Sequence, residues 1–484
     1  MRRLLPLAVL VLAVLPAAAS AAPKLPLSHA GRWITGADGR VAVLHGFNMV
    51  SKVAPYAPDA TGFGADDAAF LQAHGFDTVR LGVIYKAVEP QPGVYDDAYL
   101  ARIRRTVDVL AKRGIVSLLD FHQDMYNERF QGEGFPDWAI LDDGLPAEPR
   151  NGFPGNYLTQ PATQRAFDNF WDNKPGPGGI GIQDRFAAAW AHVASRFAGV
   201  PSVLGYELLN EPWPGANWIT CLTGCPVDDA RISAFNARLR TAIRKVDPST
   251  LLFYEPNALA NAGAPTTLAD TGDANAVFSF HDYCSAAKAG EPYPKSCHDV
   301  DAKIFGVATA HVAKTGDALM LTEFGATSLP AVLTAVADTA DRAMVGWQEW
   351  HYCACADPTT TGPGTEQALV IDPAKPPRGA NVEAAKLRAL TRPHPTAVAG
   401  TPTAFGFATA TRAFTLRWST ARAGGGKRFG AGAITEVAVP KLPYPKGYAA
   451  TVIGGRVVSA RNAPVLRIAA SKGASSVSLT VRPR

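Results

Sequence analysis

TVRLGVIYKAVEPQPGVYDDAYLARIRRTVDVLAKRGIVSLLDFH, residues 78–122, holds one complete unit of the fold. An apolar, β-branched run (TVRLGV, 78–83) leads through a Pro- and Gly-containing loop into DDAYLARIRRTVDVLAKRG (96–114), where apolar residues recur at helical spacing. A second run, VSLLDFH (116–122), follows. Strand, helix and strand in that order predict a parallel βαβ unit. Outward from it the same alternation continues. Further runs are VAVLHGFNM (41–49), LGYELLNE (204–211), LLFYEP (251–256), VFSFHDY (277–283), ALMLTEFG (318–325) and MVGWQEWHY (344–352), and DDAAFLQAHG and DRFAAAWAHVASRFAG supply further helices. Eight runs that begin apolar and end in polar or aromatic residues predict an α/β fold, a (β/α)8 TIM barrel whose C-terminal strand ends share one active face.

Between Gln123 and about Gly181 the pattern breaks into a Gly-, Pro- and aromatic-rich stretch, read as an elaborated loop above the barrel mouth. From Thr391 the texture changes again. RPHPTAVAGTP reads as a Pro-rich link, and FTLRWST, TEVAVP, YAATVI, RVVSA, VLRIAA and SSVSLTV read as short strands of an antiparallel β-sandwich. The N-terminus, with Arg2 and Arg3 ahead of an apolar run from Leu4 to Leu15 and small residues to Ala22, has the form of a secretory signal. The expected organisation is therefore a signal peptide at 1–22, a barrel at 23–390 and a C-terminal β-sandwich at 391–484, secreted and monomeric.

At 484 residues, 47% hydrophobic and 18% charged, the chain can bury a full core, which excludes a disordered or purely structural role. No later stretch of about 18 apolar residues suggests a membrane span. Six cysteines, at 221, 225, 284, 297, 353 and 355, suit local disulfides in an oxidising compartment. Proximity favours Cys221 with Cys225 and Cys284 with Cys297, whereas Cys353 with Cys355 would close an unusually tight ring. GPGGIG (176–181) satisfies a nucleotide-loop pattern, but no strand precedes it, and the chain has no GxSxG, HExxH or P-loop.

Two carboxylates stand out. Glu211 ends the LLNE run and Glu323 lies in LTEFG, so a barrel brings these distant residues to one face. Glycoside hydrolysis with retention needs such a pair, one protonating the leaving oxygen and one attacking the anomeric carbon. Arg80 can hold a nucleophilic carboxylate ionised, and His122, Asn210, His281 and Tyr283 fall at other strand ends, suited to orient it and the sugar hydroxyls. Trp350 offers an aromatic face for a pyranose, while Trp347 should point to the other side of its strand. Glu255, Glu349 and Asp120 are rival carboxylates left as structural candidates. The chemistry needs no metal and no organic cofactor.

At these residues the chain resembles glycoside hydrolase family 5. DFHQDMYNERFQGEGFPDWAI, FDNFWDN, GIGIQDRFAAAW, LLNEPWPGANWITCLTGCP and RPHPTAVAGTPTAF are similar to its endoglycoceramidase branch. The resemblance implies a retaining endo-glycosidase that splits the β-linkage between oligosaccharide and ceramide in glycosphingolipids, with Glu211 as acid/base and Glu323 as nucleophile. It places Arg80, His122, Asn210, Tyr283 and Trp350 in support, and Lys52 and Asp124 at the sugar nearest ceramide. Galactosylceramide-type, glucosylceramide or steryl glycoside substrates remain open, with contacts around Lys52, Asp124 and Trp138 expected to decide the sugar. A cellulase or mannanase and a non-catalytic glycolipid-binding protein are further alternatives. The loop aromatics of 130–171, with Trp213 and Trp218, are expected to supply an apolar lane for lipid chains.

The formal charge of +5 hides a division. Residues 391–484 carry fourteen Lys and Arg against one acid, Glu436, a net of +13, which leaves −8 on the first 390 residues. No nucleic-acid role is expected. The basic β domain is expected to rest on anionic membrane head groups and bring the barrel mouth to its substrate, with a basic surface kept for solubility as the alternative.

Overall fold

A computed structural model describes residues 23–360 and 364–484; the expected signal peptide lies outside the described residues. Two short antiparallel strands, β1 (Leu27–Ala30) and β2 (Trp33–Gly36), precede eight parallel strands: β3 (His45–Met49), β4 (Thr78–Ile84), β5 (Val116–His122), β6 (Val203–Glu207), β7 (Leu251–Tyr254), β8 (Ala276–Asp282), β9 (Ala318–Phe324) and β10 (Gly346–Glu349). These eight close into a barrel in sequence order, β10 pairing with both β9 and β3. Its N-terminal end is filled by Val116, Leu118, Leu204, Leu251, Phe253, Val277, Ala318 and Met320, and Leu27, Ile34, Ala42 and Leu44 of the N-terminal segment pack onto that layer as a plug. Side chains one step out of phase, Val41 and Val43, face the other way, into a second core.

That second core belongs to two four-stranded antiparallel sheets. One has the order β11 (His394–Ala397), β14 (Ile434–Ala438), β17 (Val465–Ala470), β16 (Gly455–Val457), and the other β12 (Thr401–Ala408), β13 (Ala413–Ser419), β18 (Ser476–Pro483), β15 (Tyr448–Ile453). Phe414, Leu416, Trp418, Leu479 and Val481 from one sheet meet Val437, Leu466 and Ile468 from the other, the face-to-face packing of a sandwich.

Three features depart from the reading of the sequence. The stretch taken as a Pro-rich link contains β11 and the start of β12. Both are edge strands, the position where Pro395 and Pro402 can sit without removing a ladder hydrogen bond, so proline there disguises a strand as a linker. The 123–181 stretch is structured, with helices at Gly155–Thr159 and Pro161–Trp171, and Phe130, Phe135, Phe167 and Phe170 pack inward as part of the main core of the barrel. The basic β domain attaches to the barrel at the strand starts. His394 lies 3.1 Å from Asp77, just before β4, and stacks on His45, the first residue of β3, while Arg392 pairs with Asp341 ahead of β10. His122 and Glu323, expected in the site, lie at the opposite strand ends, so the expectation that these cations carry the mouth to a membrane does not match where the domain sits.

All six cysteines pair, as Cys221–Cys225, Cys284–Cys297 and the tight Cys353–Cys355. No helix among the described residues is long and apolar enough to cross a membrane.

Candidate active site

Glu323 is the penultimate residue of β9, buried and facing inward. Its Oε1 accepts from Arg80 Nη1 and its Oε2 from the Tyr283 hydroxyl at 2.8 Å. Glu211 lies four residues beyond the end of β6 at a φ of 43°, a left-handed conformation costly for a residue with a Cβ. Side chains fasten that backbone on both sides: the Glu211 N–H donates to Glu255 Oε2 at 3.1 Å, and Gln123 Nε2 donates to the Glu211 carbonyl at 3.2 Å. Asn261 Nδ2 then donates to Glu211 Oε1 at 2.7 Å. His281 Nδ1 stands between the two carboxylates, 2.8 Å from Glu211 Oε1 and 3.5 Å from Glu323 Oε2. One oxygen of each glutamate and a ring nitrogen of His281 lie within 4.8 Å of one another.

Below them Arg80 is fully buried and binds almost everything around it. Its guanidinium reaches Glu207 through Nε, Asn48 Oδ1 at 3.0 Å, Asn210 Oδ1 at 2.8 Å, Asp120 at 3.0 Å and Glu255 at 3.4 Å, besides Glu323. One cation facing four carboxylates leaves excess negative charge in a dry place, and protons take it up. Burial, with Glu207 beside it, pushes Glu255 well above the usual carboxylate range. Burial also raises Glu323, against the pull of His281 and Arg80. Burial and then Asp124 push Glu211 up to about 7. His281, starved of solvent, drops to about 4 and is neutral at physiological pH.

A second buried cluster lies alongside. Lys52 Nζ donates to Asp124 Oδ2 at 2.6 Å and Thr359 Oγ1 at 2.7 Å, lies 3.3 Å from Asp357 and 3.8 Å from Glu133, and sits 4.5 Å above the Trp350 ring. Burial opposes its charge, yet Asp124, Asp357 and Glu133 override this and raise its pKa. His122 stacks on Trp350 and pairs with Asp120 at 2.7 Å, which overcomes burial and holds its pKa at about 10. Both trios of potential metal ligands here, Glu211 with His281 and Glu323, and His122 with Asp124 and Glu133, are met by the protein's own cations: Arg80 in the first and Lys52 in the second.

The two clusters open into one cavity of about 580 Å³. Lys52, His122, Asp124, Asn210, Glu211, Tyr283, Glu323 and Trp350 all line it, so the structure brings the substrate-facing sequence candidates together, with Arg80 and His281 just beneath. Apolar lining is added by Phe153, Tyr157, Leu158, Trp213, Leu259, Leu329 and Val332. Of the loop aromatics expected to form a lipid lane, Phe153, Tyr157 and Trp213 reach the cavity. Trp138 does not line it; its indole donates to the Glu89 carbonyl and packs against Arg185. Trp347 faces away, stacked on His45. The sequence reading missed Asn261, Asp357, Thr359 and Gln367, which come from loops after β7 and β10 where no strand period marks them. Asn48, in GFNM near the end of β3, was findable as a polar residue in a run that reads as a buried strand.

Comparison with known proteins agrees with this geometry. The model described as "Cellulase (glycosyl hydrolase family 5)" matches residues 37–355, and the "Glycoside hydrolase family 5 C-terminal domain" model matches residues 392–481. The chain is 34% identical to Endoglycoceramidase I of Rhodococcus hoagii (strain 103S) over 465 residues, covering 93% of this chain and 87% of the relative. Among solved structures, Endo-glycoceramidase II from Rhodococcus sp. superposes as its lactosyl-enzyme intermediate with a TM-score of 0.73 at 29% identity. Its ganglioside GM3 complex gives 0.73 at 28% identity, and both alignments cover 93% of this chain and 98% of the other. An endogalactoceramidase structure gives 0.72 at 26% identity, covering 96% of this chain and all of the other.

Proposed function

The chain belongs to glycoside hydrolase family 5 and is a glycosidase, and from that premise we propose that it is a retaining endo-glycosidase that releases intact oligosaccharide from ceramide. The observation that carries the reading is the pairing of two glutamates, with oxygens within 4.8 Å, in a cavity lined by both charged and apolar residues. Retaining enzymes hold the two carboxyl groups close, about 5–5.5 Å apart, so that one can attack directly, and the nearness of the Glu211 and Glu323 oxygens supports that course. The lactosyl-enzyme form of the Rhodococcus relative supports the same course, and its GM3 complex supports the substrate class.

Glu323 is the nucleophile. Its carboxylate, held by Arg80 and Tyr283, attacks the anomeric carbon as the bond to the ceramide oxygen breaks. Glu211 gives its proton to that oxygen and ceramide leaves as the free alcohol. With a pKa near 7, Glu211 carries a proton about half the time at neutral pH, whereas an ordinary glutamate, near 4.3, would carry one well under 1% of the time. Glu211, now a carboxylate, then takes a proton from water, the hydroxide attacks the anomeric carbon, and Glu323 is released. The Lys52 cluster and the Trp350 face bind the sugar next to ceramide, and the apolar lining takes the lipid. The Arg-led N-terminal segment supports export to the cell exterior.

Glu323→Gln tests the assignment. Turnover of a defined glycosphingolipid is expected to fall at least about a thousandfold while the glycolipid still binds; substantial activity in a clean preparation would contradict it.

A further inference from the structure

Much of the cavity wall is built from chain without charge. Residues 151–164, 212–227, 256–269 and 325–337 contain no Asp, Glu, Lys or Arg, in a protein 18% charged. Each stretch contributes to the cavity wall: Phe153, Tyr157 and Leu158 from the first, Trp213 from the second, Leu259 and Asn261 from the third, Leu329 and Val332 from the fourth. Of the charged residues that line the cavity, Lys52, Asp124 and Asp357 cluster together.

From the uncharged stretches large apolar side chains point to solvent. Ile219 is 62% exposed, Leu222 50% and Val227 66%, and Leu158 at the cavity edge is 38% exposed. They are connected to the cavity. Trp213 in its wall packs 6.1 Å from Trp218, which begins the short 3-10 helix Trp218–Thr223 that carries Ile219 and Leu222, and Cys221–Cys225 staples that helix to the start of the next. A soluble surface would intersperse charges here, because exposed apolar side chains invite association.

We propose that this rim is the face that enters a lipid bilayer, with Ile219, Leu222 and Val227 as the inserting residues and the partly buried Trp218 at the interface. The proposal rests on the glycosphingolipid reading of the cavity and deepens it by saying how the substrate is reached. A bilayer is the occupant that fits: the apolar surface is continuous with the wall that takes the lipid half of the substrate. With no cation in the rim stretches, the attraction is apolar and requires no anionic lipid. The basic β domain, attached at the other end of the barrel, takes no part.

The test is co-sedimentation of the full chain with phosphatidylcholine vesicles that contain no substrate, at about 50 mM and 500 mM salt, where electrostatic attraction would be screened. Binding is expected, unchanged by salt, and reduced roughly tenfold in Ile219→Asp/Leu222→Asp. The same double variant should keep parent thermal stability and parent turnover of glycosphingolipid dispersed in detergent. Absence of binding, unchanged binding by the double variant, or binding that needs anionic lipid and vanishes at high salt would overturn the proposal. Failure of the substrate reading would show separately, as no cleavage in detergent by the parent protein.

Discussion

In the proposed mechanism two glutamates of identical chemistry take different tasks, and what touches them differs. Glu323 has donors on both oxygens, Arg80 and Tyr283, which favour its ionised form, whereas Glu211 has Asn261 and His281 on one oxygen and the Asp124 charge nearby. Because Glu211 must be protonated to release ceramide, kcat/KM should decline as pH rises through about 7. Glu323 must be ionised, so the acid limb should lie above the usual carboxylate range. In Glu211→Gln the alkaline limb should disappear. Loss of rate should be large, at least about a hundredfold, on a glycolipid, and small for the glycosylation step on an aryl glycoside whose leaving group needs no proton; an alkaline limb surviving in the variant would remove Glu211 from this role. The pair was legible in sequence because strand ends expose it. The left-handed backbone of Glu211 was not, since it depends on Glu255 and Gln123, distant in sequence, holding one peptide from both sides.

At the level of elements, the short helix Ala384–Leu390 supports the mouth from behind. Its fully buried Lys386 donates to the carbonyls of Gln367 at 2.5 Å, Thr327 at 3.3 Å and Trp350 at 3.4 Å, and pairs with buried Glu349 at 2.5 Å. Gln367 in turn accepts from the Trp350 indole at 3.2 Å, so one ammonium fixes the loops after β9 and β10 and the aromatic wall between them. Burial pushes Glu349 up to about 8 and lowers Lys386. Lys386→Met should therefore cost about 1–3 kcal/mol in urea unfolding, because it takes the buried donor from Glu349 and the Thr327 carbonyl, while the Gln367 and Trp350 carbonyls keep the N–H groups of His351 and Ala326. It should raise KM more than it lowers kcat, and Lys386→Met/Glu349→Leu should recover part of the stability. Equal stability in variant and parent would show that the pair is dispensable. Such a lysine cannot be singled out in the sequence, where LRAL and its neighbours read only as a helix face. The barrel strands were readable because burial on both sides makes them continuous apolar runs, and β11 and β12 were not because edge positions admit proline.

Across the whole molecule the two cores are fused through the N-terminal segment: Ala42 and Leu44 plug the barrel while Trp33, Val41 and Val43 pack into the sandwich. Val41 also exchanges backbone hydrogen bonds with Val398 at 3.0 and 2.8 Å. A chain ending at Thr391 would expose those residues and leave Asp341 buried without Arg392, so it should be recovered as aggregate in size-exclusion chromatography rather than as an active barrel; a soluble, active truncation would show the domains to be independent. The charge division of the chain was plain in the sequence. Its location was not, because only the fold shows that the basic domain and the cavity mouth lie at opposite strand ends. Endo-cleavage with retention is tested by a proton NMR time course on one defined glycosphingolipid carrying a glycan of several sugars. Ceramide and the intact oligosaccharide are expected as the two products, with the β-anomer of the released reducing sugar appearing first. Stepwise release of monosaccharides, or an α-anomer formed first, would contradict it.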